Sequence, residues 1–295
     1  MFDIEEFIIA TFCLIDDQIK ALPCCTRPQK RGFAPRLSAS EVITMKVVGE
    51  FLESDTDKGI WRYFRRHWMA LFPQLKERTS FTRQAADLWF WKQQVQLALQ
   101  ERLGDVHSGL YLVDSFPMPV CGFKRSRQCQ RFWAEASYGH STTLGIFYGL
   151  RGHVLIDGAG LIRRFCVTSA NVKDLDALDD LLDGITGTIV ADKAYLSEPV
   201  AQALAQRQIT LVTPKRSNMQ TFNRLHNRLV SRYRQRNETV IGQLAERFHA
   251  ERVWARDCWH LTSRMARKIL AHSIAVWFNE LDGRNSLQFD SLIAD

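Results

Sequence analysis

Two short apolar runs in this sequence each end at an aspartate. Leu110-Tyr111-Leu112-Val113 stops at Asp114, and Thr188-Ile189-Val190-Ala191 stops at Asp192. Runs this short suit a buried strand better than a helix. Residues 149–156 and 161–168 read as two further strands around the turn Asp157-Gly158-Ala159-Gly160, and residues 209–214 as a fifth. Ser169 or Asn171 is placed to cap a helix over 172–183, a second helix fits 198–207, and the pattern is helical from about 219 to 281. Along that last stretch Leu225, Leu229, Tyr233, Val240, Leu244 and Phe248 recur near every fourth position.

The first three strands are close enough in sequence to pair antiparallel. The later ones alternate with helices, which implies parallel crossovers. The expected fold is therefore α/β: a mixed five-stranded sheet flanked by helices, in the ribonuclease H-like order, preceded by an all-helical region. In that region residues 1–22 have an amphipathic pattern, and residues 23–37, with three prolines and a glycine, read as a linker. Ser38-Ala39-Ser40-Glu41 is a capping box. Further helices fit 58–72 and 82–103, the last stopping at Gly104. The divisions expected are 1–107 for the helical region, 108–281 for the sheet domain and 282–295 for a tail.

Composition excludes several classes. No apolar run approaches the ~20 residues that cross a bilayer. The N-terminus carries Asp3, Glu5 and Glu6 and no basic stretch, so it is not a secretory signal, and a cytoplasmic protein without membrane contact is expected. The seven cysteines form no Cys-x-x-Cys pair, which signals neither a zinc site nor a disulfide framework. No histidine has metal-ligand spacing.

The net charge of +7 is unevenly spread. Residues 214–268 hold 13 Lys and Arg against 4 Asp and Glu, and the rest of the chain holds 26 against 28. A concentrated basic face is what a phosphate backbone requires. Arg224, Arg228, Arg232 and Arg236 recur every four residues and form one helical stripe with few acids nearby. A second basic segment, with Lys124, Arg125, Arg127 and Arg131, follows the first aspartate closely. Trp133 at its end reads as core, with stacking on an unpaired base as the alternative.

Asp114 and Asp192, at the ends of strands that neighbour each other in such a sheet, and Glu238, on a helix able to pack across the sheet edge, make a set of hard oxygen donors. Mg²⁺ prefers such donors. Two such ions about 3.5–4 Å apart activate the attacking oxygen and stabilise the leaving oxygen in phosphodiester displacement. Taken singly, each acid has an ordinary explanation: a loop-start Asp caps a turn, and Glu238 pairs with Arg234 one helical turn back.

At these residues the sequence resembles insertion-sequence transposases of the DDE type, closest to the IS-nine-eight-two group. The segments that carry the resemblance are VDSFPMPVC (113–121), ADKAYLS (191–197) and RYRQRNETVIGQLAERF (232–248), with SASEVITMKVVGEFL (38–52) similar to that group's N-terminal helices. It spans about residues 36–280. Ala194 stands where the group has Gly, Asn237 where an aliphatic residue is common, and Ala245 where a Lys follows the Leu.

The resemblance implies that Asp114, Asp192 and Glu238 are the catalytic and metal-binding triad, with two Mg²⁺ ions or alternatively Mn²⁺. It implies binding of terminal inverted repeats, cleavage of the element ends, transfer of the 3′-hydroxyl to target DNA, and a homodimer on DNA. Lys193 and Tyr195, beside the second acid, are candidate contacts to the cut strand. Lys124, Arg125, Arg127, Arg131, Arg228, Arg232, Arg234 and Arg236 are candidate DNA contacts. The helical region, with WRYFRRHW (61–68) and RTSFTR (78–83), is a candidate for reading the DNA end. The same acids would serve a nuclease that cuts without joining, and the same basic face would serve a DNA-binding relic or repressor. An aspartyl-phosphate phosphatase is disfavoured because Phe116 stands where a second Asp is required.

Overall fold

A computed structural model describes residues 2–23, 34–104, 109–215, 217, 223–290 and 292–293. Most of the expected linker 23–37 lies outside these residues, as do Cys24 and Cys25. The chain divides into two compact units, residues 1–102 with 247–249 and 257–295, and residues 103–246 with 250–256. Among the described residues, no helix is long and apolar enough to cross a membrane.

The first unit is helical. Helix α1 (Ile4–Ala21) starts at a capping box made by Asp3 and Glu6. Helix α2 (Ala39–Phe51) starts at the expected box, Ser38 accepting from the Glu41 N–H while Glu41 accepts from the Ser38 N–H. Helix α3 spans Asp57–His67. The single helix expected over 82–103 is two, α4 (Arg78–Asp87) and α5 (Trp89–Leu103), broken at Leu88. In chain order the last helix of this unit, α9 (Cys258–Leu281), comes after the whole sheet. Almost every residue of α2 is buried, so it has no solvent face, and it packs on α1 and α9.

That central position forces charges inside. Buried Glu50 on α2 meets Arg267 and Lys268 of α9, the Lys268 ammonium donating to it at 2.9 Å. Lys46 pairs with Asp57, and Lys92 donates to Ser263 Oγ at 2.7 Å and to the Ala85 carbonyl at 2.9 Å. The basic surplus read at 214–268 is therefore not all a surface: Arg267 and Lys268 belong to this interior network.

The second unit is built on a six-stranded mixed sheet. Strands β1 (Leu110–Pro119), β2 (Ser137–Ser141), β3 (Gly145–Asp157) and β4 (Ile162–Ser169) precede β5 (Gly187–Val190) and β6 (Ile209–Val212). The path runs β2-β3-β1-β5-β6, and β4 pairs with β3 farther along the same strand. β3 is antiparallel to β1, β2 and β4, whereas β1, β5 and β6 are parallel, as the spacing implied. The five expected strands are present, and β2 is an addition. Its sequence, SYGHS, lacks apolar alternation because it is a half-exposed strand.

The expected helix over 172–183 shrinks to α6 (Leu178–Leu181). Before it the backbone makes turns, Val172 bonding back to Ser169 and Asp176 to Lys173. Short polar side chains such as Asn171 and Asp174 compete with helix at such positions: Asn171 pairs with Ser137, and Asp174 with Arg151. After α7 (Glu198–Gln206) and β6, the long helical stretch is α8 (Arg224–Gly242), a π-helical turn over Gln243–Arg247 and a break before α9. Leu225, Leu229 and Tyr233 on α8 are exposed. Its buried line is Val230, Asn237 and Val240.

Candidate active site

β1 and β5 pair in register, Leu110 with Thr188, Tyr111 with Ile189 and Leu112 with Val190. Asp114 and Asp192 each stand two residues beyond the last of these pairs. The register is set below by two glycines. Gly187 has φ +116°, and a Cβ on it would run into the backbone of Gly109, itself at φ +88°; the Thr188 N–H donates to the Gly109 carbonyl at 2.5 Å. Above Leu112, β5 has ended while β1 continues with Pro117 and Pro119. Proline is tolerated there because that side of β1 is an edge. Helix α8 lies against β1 and β5 and brings Glu238 to the same region.

Arg234 links the acids. Its guanidinium lies 3.3 Å from Asp192 Oδ1 and 3.8 Å from Glu238 Oε1. Arg234 is thus held by carboxylates, unlike Arg224, Arg228, Arg232 and Arg236, which are exposed and without an ion pair among the described residues. Asp192 accepts from the Lys193 N–H at 2.5 Å and caps a short 3₁₀ turn, Lys193–Tyr195. Asp114 accepts from the Ser115 N–H at 2.8 Å. Burial pushes the Asp114 carboxyl up to about 6, with the Asp192 and Asp174 charges adding to the rise and the Ser115 N–H and Arg234 opposing it.

Around these acids the sequence reading needs correction at three residues. Tyr195 is 1 % exposed and packs in the core with Val113, Ile189 and Ala191, so it has no face for a DNA strand; burial raises its hydroxyl far above the ordinary value. Trp133 is 78 % exposed and is not core. Asp174, inside the stretch 172–183 expected to be helical, is instead in a turn, ion-paired to Arg151 at 3.5 Å and 3.7 Å from His153 Nδ1. Arg151 in turn donates to Ser115 Oγ at 3.3 Å, next to Asp114. His153 is fully buried, bonded to Thr168 Oγ1 at 2.8 Å, and its imidazole is pushed down to about 4 by burial, against the pull of Asp174. Nothing in the spacing of Arg151, His153 and Asp174 signals this group, because two separate segments, β3 and the turns after β4, supply it.

The basic segment after β1 is a 3₁₀ helix, Phe123–Gln128, on which Lys124, Arg125 and Arg127 are exposed, as are Arg131 and Lys193 nearby in sequence to β1 and β5. Among the described residues, no three His, Cys, Asp or Glu side chains converge as a ready metal cluster.

A family model described as transposase DDE domain matches residues 104–257, more than half of the chain. The chain belongs to the DDE transposase family. No curated protein matches this transposase. Among solved structures it is similar to the piggyBac transposase in a synaptic complex with hairpin DNA, determined by cryo-EM, at 11 % identity and a TM-score of 0.46, over 98 % of this chain and 78 % of that one. The matched segment contains Asp114, Asp192 and Glu238 and all six strands of the sheet.

Proposed function

We propose that this transposase belongs to an insertion sequence of the IS-nine-eight-two type, with a ribonuclease H-like catalytic unit and Asp114, Asp192 and Glu238 as its catalytic triad. The observation that carries the reading is that Asp114 and Asp192 each stand two residues beyond the last register pair of the parallel strands β1 and β5, with Glu238 tied to Asp192 through Arg234.

The donor set fits Mg²⁺ or Mn²⁺. All three groups are carboxylates, the partly buried Asp114 is under-compensated in charge, and Arg234 already places one positive charge between Asp192 and Glu238. Asp114, Asp192 and Glu238 would hold the ions. Bound there, divalent cations would lower the proton affinity of an attacking water and stabilise the charge on the leaving oxygen.

The chain's own residues do the positioning. The exposed stripe Arg224, Arg228, Arg232 and Arg236 would hold phosphates along the same helix that carries Glu238. Lys193 would contact the strand at Asp192, and Lys124, Arg125, Arg127 and Arg131 the flanking DNA. Contacts of this kind fix register and orientation, from which most of the advantage in phosphoryl transfer derives. The helical N-terminal region would read the terminal inverted repeats. Two copies would synapse the two ends, and the freed 3′-hydroxyl would attack target DNA.

The test is a mobilisation assay with a marked donor carrying the gene's flanking DNA, at equal expression of wild type and Asp192→Ala. Movement by wild type alone is expected. Strand nicking without joined product would establish the nuclease reading instead. Binding of the ends by a wild type that neither cuts nor joins would establish the relic.

A further inference from the structure

A concavity of about 520 Å³ opens in the sheet unit between the end of β1, the basic 3₁₀ turn and the segment Val253-Trp254. Arg125, Arg131, Gln128 and Gln130 line it, and Trp254 forms a wall. An indole is usually mostly buried. This one is 52 % exposed, with the Arg252 guanidinium 5.8 Å from its ring centre. The opposite wall is held in place: the Arg125 N–H donates to the Gly122 carbonyl at 2.8 Å, and buried Ser126 donates to the Phe123 carbonyl at 2.7 Å while accepting from the Tyr138 hydroxyl at 2.9 Å.

The lining defines the ligand. Two guanidinium groups suit phosphate oxygens, two carboxamides suit the hydrogen-bonding edge of a base, and a half-exposed indole suits a planar ring. A base inside a duplex is paired and stacked on both sides and cannot enter a concavity. We propose that this cavity takes one unpaired nucleotide of the DNA substrate, its base against Trp254 and its phosphates against Arg125 and Arg131. The proposal rests on the transposase reading of the same unit and adds to it a preference for DNA with an unpaired end.

Fluorescence anisotropy on the full chain compares a blunt duplex with the same duplex bearing a short single-stranded overhang. Wild type binds the overhang about tenfold more tightly, the usual effect of one stacked base. Trp254→Ala brings the two duplexes to one affinity, and Trp254→Phe restores most of the preference. A second readout uses the free thiols Cys121 and Cys129, which line the same cavity. The overhang oligonucleotide slows their alkylation by a maleimide and leaves exposed Cys13 reacting as before. Equal affinity of wild type for both duplexes, or unprotected thiols under saturating overhang DNA, overturns the cavity's role and leaves the transposase reading standing. Failure to bind either duplex overturns both.

Discussion

Replacing Asp114 by Asn should make the protein more stable while abolishing transposition. The carboxyl rises from 3.8 to about 6 because it is buried, beside Asp192 and Asp174. At about 1.36 kcal/mol per pH unit, keeping it ionised in the fold costs about 3 kcal/mol above pH 6. Below about pH 4 the folded and unfolded chains are both protonated and the cost vanishes. Between these limits the folded chain holds the proton and the unfolded chain does not, so stability falls as pH rises. Asparagine removes the charge and keeps an oxygen to accept from the Ser115 N–H, but it adds an amide N–H₂ that needs partners of its own. A net gain of about 1–2 kcal/mol, or ~2–6 °C in the unfolding midpoint, is expected near pH 8 with a chelator present. Thermal unfolding followed by circular dichroism should show that gain shrinking towards pH 4. Adding Mg²⁺ should raise the midpoint of wild type more than that of Asp114→Asn. A variant that is less stable than wild type near pH 8, or a gain that does not change with pH, would refute the account of Asp114 as a strained carboxylate.

Three other substitutions probe separate layers of the structure. Arg267→Ala leaves buried Glu50 with Lys268 alone and should cost about 3–5 kcal/mol in urea unfolding, whereas a loss below about 1 kcal/mol would mean that the interior network contributes little. Gly187→Ala places a Cβ against the Gly109 backbone at a φ of +116° and should depress mobilisation more than equally destabilising core variants do; activity that merely tracks stability would count against the register argument. Arg232→Ala should weaken DNA binding similarly across sequences and reduce the slope of log affinity against log salt by about 1, and an unchanged slope would show that this side chain meets no phosphate.

The strands that lead to the acids were legible because each opens as a short apolar run between a glycine and an aspartate, although β1 runs on past Asp114 to Pro119. The capping box at Ser38 was legible for a related reason, since all of its chemistry lies within four residues. β2 was not, because a half-exposed strand needs little apolar pattern. The helix over 172–183 was overread: its apolar spacing is real, but Asp174 and Asn171 find partners on β3 and β2 and pull the chain into turns. Charge was the most misleading signal. A count along the sequence cannot separate Arg232, which faces solvent, from Arg267, which faces Glu50, or from Arg234, which lies among the acids. Nor does Trp254 stand out from the other seven tryptophans until the turn at Phe123–Gln128 is seen opposite it.

From Gly109 to Asp114 is five residues, and from Gly187 to Asp192 is also five. The two glycines touch, so the paired strands rise from a common origin and deliver their carboxylates at one height. This makes two stretches of sequence intolerant of insertion or deletion, since one added residue would turn an acid to the opposite face of the sheet. The loops leading into each glycine carry no such restriction. Loops between the first acid and the second glycine can therefore change length without altering these two five-residue measures, provided the pairing of β3 with β1 is kept.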